Sequence, residues 1–163
     1  MKSSLLRNSI SFSKGYMLII IASFYCSCDN NTAYQRFNSL PEEGWNRQDT
    51  MYFAATLKDS LQTYKITLEI RNRSSYIYTN LPILFSMRTP QNKNNIKDSL
   101  FIKLANSKGE WLGKGWGELY QYQYTVGHIY TKSPGIYLFR LSYLLPDKKL
   151  QGINDIGLKL EKQ

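Results

Sequence analysis

Apolar and polar residues alternate with a period of two along most of the chain beyond residue 50. Tyr64, Ile66, Leu68 and Ile70 interleave with Lys65, Thr67, Glu69 and Arg71. Successive side chains of a strand point to opposite faces, so this run predicts a strand with one dry face and one wet face. Read as a helix, the same residues scatter around the axis. Met51, Phe53, Ala55 and Leu57 repeat the pattern, as do Leu81, Ile83, Phe85 and Met87, and Tyr137, Phe139, Leu141 and Tyr143. Tyr120 to Val126 and Ile156 to Glu161 predict further strands. Ile96 to Leu104 fits a strand, with a short helix as the alternative. Gly113, Gly115 and Gly117 stand at alternate positions, which suits a bulged or close-packed strand.

Turn chemistry separates these runs. Pro41-Glu42-Glu43-Gly44, Asn72-Arg73-Ser74-Ser75, Ala105-Asn106-Ser107-Lys108-Gly109 and Ser133-Pro134-Gly135 carry turn residues, and Thr89 to Asn95 reads as an exposed loop. Roughly seven to nine short strands without a long amphipathic helix predict an all-β, antiparallel β-sandwich, immunoglobulin-like or jelly-roll-like. A closed barrel is the alternative.

One stretch breaks the alternation. Tyr16 to Tyr25 is a continuous apolar run, preceded by Lys2, Arg7 and Lys14 and by no acidic residue. Such a run spans roughly 15 Å as a helix, about half the hydrocarbon core, so it is too short for a stable membrane span. Its layout is that of a secretory signal. Its end resembles a bacterial lipoprotein signal, in which a cysteine follows the cut: Ser27 fits the small position before Cys28, and Tyr25 stands where Leu is usual. Bulky Tyr25 directly before Cys26 disfavours that competing cysteine. The expected organisation is a signal peptide over 1–27, a tether and first turn over 28–48, and a sandwich domain over 49–163. Acylation is expected at Cys28. More than one acyl chain makes anchoring effectively stable. Cys26 leaves with the signal, so the mature chain has neither free thiol nor disulfide and rests on its packed core.

Charge and composition narrow the chemistry. Signal removal takes three of the 21 basic residues and none of the 12 acidic ones, so the net charge falls from +9 to +6. Lys and Arg are scattered, which argues against a nucleic-acid surface. Gly113-Lys114-Gly115-Trp116-Gly117 has neither the spacing of a phosphate loop nor a helix after it. His128 is the single histidine, so a catalytic triad or a histidine-ligated metal would rest on it alone. A carboxylate pair from Glu42, Glu43, Glu110, Glu118, Asp147 and Asp155 would have to arise by spatial convergence. No catalytic residue, metal or small-molecule cofactor is expected. Trp111, Trp116, Tyr120, Tyr122 and Tyr124 offer an aromatic surface for a protein partner or a glycan, although alternation sends half of them into the core.

The segments Pro41-Glu42-Glu43-Gly44-Trp45, Arg71-Asn72-Arg73, Tyr76-Ile77-Tyr78-Thr79-Asn80-Leu81, Leu104-Ala105, Gly109 to Gly117 and Leu150 to Leu158 stand in an order that resembles the gliding-motility lipoproteins of the GldH type, from Bacteroidota. Trp116 and Ile77 depart from the Phe and Pro frequent at those places. The resemblance implies a non-catalytic, lipid-anchored envelope protein. It implies attachment through Cys28 to a membrane of the envelope, the outer membrane with the domain facing the periplasm, and contacts with other proteins of gliding and type IX secretion. Relatives also occur in species that do not glide. Asp49-Thr50-Met51, Asp59-Ser60-Leu61 and Asp98-Ser99-Leu100 resemble the short O-glycosylation site of the same phylum, and equally suit turns entering strands.

Overall fold

The computed structural model describes residues 31–92 and 95–163. The signal segment and Cys28 lie outside them. Among the described residues there are eleven strands and no helix: β1 Thr32–Ser39, β2 Trp45–Asn46, β3 Met51–Leu57, β4 Gln62–Arg73, β5 Asn80–Arg88, β6 Ile96–Lys103, β7 Lys114–Trp116, β8 Leu119–Thr131, β9 Gly135–Tyr143, β10 Lys149–Leu150 and β11 Ile153–Lys162. One sheet has the order β1-β11-β4-β8-β7 and the other β3-β9-β5-β6, with β2 and β10 forming a small ribbon. The strand pairings are antiparallel. Two open sheets form a sandwich, not a closed barrel.

Alternation decides the packing. Tyr64, Ile66, Leu68 and Ile70 of β4 lie inward beside Ile156, Leu158 and Leu160 of β11. They meet Phe53, Ala55 and Leu57 of β3 and Tyr137, Phe139 and Leu141 of β9. Each large apolar side chain buried in this way contributes about 1.5–3 kcal/mol. Ile96 to Lys103 is a strand, paired along its length with β5, so the helical alternative fails. Pro82 is the third residue of β5, near the strand start, where its missing donor costs least. In β8 the inward phase changes from Tyr122, Tyr124 and Val126 to Ile129 and Thr131 across a bulge opposite Ile66 and Thr67. One extra residue is enough to turn a strand's buried set over.

The stretch expected as tether and first turn differs from that expectation. Thr32 already opens β1, which pairs with β11 down to Ser39. Tyr34 packs against the core from this strand. An edge strand obtains its backbone partners from one neighbour and needs few apolar residues, so its pattern is faint. The turn that follows is as expected: the Gly44 amide donates to the Pro41 carbonyl at 2.9 Å. Gly44 adopts φ +101°, and a Cβ there would meet the Leu150 carbonyl oxygen at 2.8 Å, so this corner requires glycine. It delivers Trp45 into the core, where its indole N–H donates to the Asp49 carbonyl and its ring meets Tyr143 edge-on.

Strand direction sorts the connections into two ends. The terminal end holds Asn31 and Thr32, the β3–β4 turn at 58–61, the β5–β6 loop, the β8–β9 turn and Gln163. The Lys162 amide donates to the Asn31 carbonyl there, the Gln163 amide to Thr63, and Gln91 to the Ser133 hydroxyl. The hairpin end holds the Pro41–Gly44 turn, the connections after β4, β6, β9 and β10, and the β7–β8 turn. The thirteen residues of β8 span roughly 40 Å between the two.

Candidate functional site

The β7–β8 hairpin is built by its glycines. A Cβ on Gly113 would stand 2.7 Å from the Gln121 carbonyl oxygen, and one on Gly115 would stand 2.7 Å from the Tyr120 ring. Strand β7 therefore approaches β8 closely enough for the Tyr120 ring to lie against its backbone. Gly117 at φ +63° opens a two-residue turn, and Trp116 faces Leu119 across it. Trp116 is 92% exposed at the tip.

Beside the tip, Arg71, Leu112, Lys114, Trp116, Gln121 and Tyr122 are among the residues lining a groove of about 700 Å³. The polar side chains on its floor are held in place. Arg71 Nε donates to Gln121 Oε1 at 2.9 Å, the guanidinium lies 4.0 Å from the centre of the Phe37 ring, and Nη1 stands 3.5 Å from Asp155 Oδ1. On the same outer face Glu69 is only 2% exposed. Its carboxylate accepts from Gln35 Nε2 at 2.6 Å and Gln123 Nε2 at 2.8 Å. These amides replace the water that a mid-sheet position excludes.

The aromatic residues singled out in the sequence do not form one platform. Trp111 bridges to Ala105 and is half-buried against the core. Its ring centroid lies 5.7 Å from that of Tyr120 and 6.4 Å from that of Tyr76. Tyr122 and Tyr124 are also packed against the core. Trp116 has no ring partner among the described residues and stands apart. Burial raises the phenol of Tyr76 above its ordinary range, and the hydroxyl donates to the Asn80 carbonyl at 2.9 Å. Tyr78 donates to Asp147 at 2.7 Å, and that bond raises its phenol.

The carboxylates considered for catalysis go separate ways. Asp155 faces Arg71 and accepts from Asn154, Asp147 accepts from Tyr78, and Glu110 accepts from Asn106. His128 is exposed on β8. Among the described residues no three of His, Cys, Asp or Glu are grouped to hold a metal. Gln121, on the groove floor, drew no attention in the sequence, and Arg71 beside it entered as a polar strand position and as part of Arg71-Asn72-Arg73, not as a site residue. Each sits on the polar phase of its strand, and nothing local marks their meeting.

A model of the GldH lipoprotein family matches residues 32–160. The chain belongs to the GldH lipoprotein family. A GldH homolog described as a gliding motility lipoprotein in Christiangramia forsetii is 26% identical over 155 residues, covering 90% of this chain and 94% of that protein. The gliding motility lipoprotein GldH of Flavobacterium johnsoniae is 22% identical over 154 residues, covering 90% and 95%. Among solved structures, the VP2 subviral particle of infectious bursal disease virus aligns at a TM-score of 0.33 and 13% identity. That alignment covers 80% of this chain and 31% of the viral one, and carries no weight at that score. Membership in the GldH family makes this a membrane-anchored lipoprotein of the gliding-motility class.

The segments that carry the GldH resemblance have a common location. Pro41–Trp45 forms the corner before β2, Arg71–Arg73 ends β4, and Tyr76–Leu81 enters β5. Leu104-Ala105 leaves β6, Gly109–Gly117 contains β7, and Leu150–Leu158 spans the start of β11. Every one of them belongs to the hairpin end or the strand halves that lead into it.

Proposed function

We propose that this GldH-family chain is a non-catalytic component of the gliding and type IX secretion apparatus. It is anchored through acylated Cys28, in the outer membrane and facing the periplasm, and it works by holding a protein partner at the hairpin end. The observation that carries the reading is Trp116: a large indole left in solvent on the rim of a groove, at the end of the fold away from Thr32. Aromatic side chains that bury on association are frequent interface anchors. Confinement to one membrane raises the effective concentration of co-anchored proteins, so modest contacts suffice. The gathering of the family's segments at this end supports the same assignment.

The test has two arms in a motile host. Cys28→Ala is expected to leave a folded, soluble periplasmic domain with motility and secretion lost. Trp116→Ala is expected to stay on the membrane, fold normally, lose crosslinks to its partner and lose motility. Full motility of both variants overturns the proposal. A glycan-binding reading draws on the same indole, but Trp111, its expected companion, is packed inward.

A further inference from the structure

The terminal end has a surface of its own. Leu61 is 71% exposed and adopts φ +55°, a left-handed conformation that leucine seldom takes. The turn is pinned there because Asp59 accepts from Tyr64 at 2.9 Å and pairs with Lys162 at 2.8 Å. An apolar side chain is thereby held outward at the tip. Tyr130, Ile136 and Ile96 are also exposed. They stand opposite Thr63, Thr56 and Met87, within about two residues of their strand ends. The four side chains form a collar around this end. Between them stand Lys58, Lys97 and Lys132, all exposed and without an ion pair among the described residues.

Chain length says what this collar faces. Cys28 precedes Thr32 by four residues, which reach at most about 14 Å when fully extended. Given the Cys28 anchor proposed above, on which this inference rests, the terminal end cannot leave the bilayer surface. Tyrosine is favoured at headgroup level, aliphatic side chains bury at the boundary between headgroups and acyl chains, and lysines there meet anionic phosphates. We infer that the end bearing Leu61, Ile96, Tyr130 and Ile136 docks onto the bilayer as a second attachment, with Lys58, Lys97 and Lys132 engaging anionic headgroups. The domain then stands upright, with the hairpin end directed away from the membrane.

Spin labels on the acylated protein test this. Nitroxides are placed at Leu61→Cys and Ile136→Cys, and at Ile77→Cys on the hairpin end, in vesicles of phosphatidylethanolamine with phosphatidylglycerol. Collision with oxygen and with a water-soluble nickel chelate reports depth, and mass spectrometry reports acylation of Cys28. The expected result is headgroup depth at positions 61 and 136 and full water exposure at 77. Adding Lys58→Glu, Lys97→Glu and Lys132→Glu should return the first two labels to water. Circular dichroism checks that each variant is folded. Water exposure at all three positions with Cys28 acylated overturns the docking surface and leaves the anchor standing. An unacylated Cys28 overturns both. Unchanged depth after the triple charge reversal overturns the role of the lysines.

Discussion

The two ends of the sandwich solve different problems with the same strands. The hairpin end is reinforced: Trp45, Tyr76 and Tyr143 are buried, Trp111 stacks on Tyr76 and Tyr120, and one corner tolerates only glycine. Trp116 is left outside at the hairpin tip, and Ile77, Leu112 and Leu144 are exposed at the same end. The terminal end is tied by charge, with Lys162 on Asp59 and both Lys65 and Lys159 on Glu161, and it displays several apolar side chains around a ring of lysines. One end projects an indole from a tightly packed aromatic base. The other presents a broad collar that suits a surface more than a pocket.

The most damaging way to break the contrast is to hollow the reinforced end. Trp45→Ala should cost about 3–5 kcal/mol, because a fully buried indole leaves a cavity and an orphaned Asp49 carbonyl. A lowered midpoint in urea unfolding would register it. Trp116→Ala sharpens the contrast instead. Stability should move by less than about 0.5 kcal/mol at so exposed a site. Partner affinity, measured by titration once crosslinking has identified the partner, should fall by about 2 kcal/mol or more, roughly thirtyfold.

Acid acts first on the terminal end, whereas alkali reaches both ends. Asp59 and Glu161, both at the terminal end, are held below their ordinary values of 3.8 and 4.5 by their hydrogen-bonded lysines. Their contribution is complete above pH 4.5 and disappears as pH falls through the lower folded values, so acid should open this end first. Hydrogen exchange of residues 58–65 and 159–162 would show it. At the other limit, burial pushes Tyr64 up to about 12 and raises Tyr76 and Tyr143. Their contribution is complete below pH 10 and is lost as pH rises through the folded values. The urea midpoint should therefore decline above pH 10 as tyrosinate absorbance grows. The smallest expected effect is at Leu61→Gly. Relief of the left-handed strain, partly offset by glycine's entropy, should stabilise by no more than about 1 kcal/mol, visible as a slight rise in Tm. The same variant should weaken vesicle docking.

The sheets were legible wherever a strand has one wet face, as in β3 and β9, because burial on a single side writes itself as strict alternation; β4 alternates as clearly, but the wet face expected of it is covered at Thr67 and Glu69. Strand β1 was hidden since an edge strand needs little apolar surface, and its residues Thr32 to Ser39 read as polar tether. The glycines at 113 and 115 announced close packing correctly. They did not announce that Trp111 turns inward while Trp116 turns out, because both indoles suit either environment by composition. The groove floor was illegible for another reason: Arg71 meets Gln121 fifty residues later and Asp155 on a third strand, and such meetings leave no local trace.

Strand β1 runs from the terminal end toward the hairpin end, joined to β11 through seven paired residues. A pull on the lipid, opposed by a partner held at the far end, would slide β1 along β11 rather than peel it away. The hydrogen bonds between them would then share the load together instead of breaking one at a time. In the placement proposed above, that geometry amounts to a fastening made to resist shear.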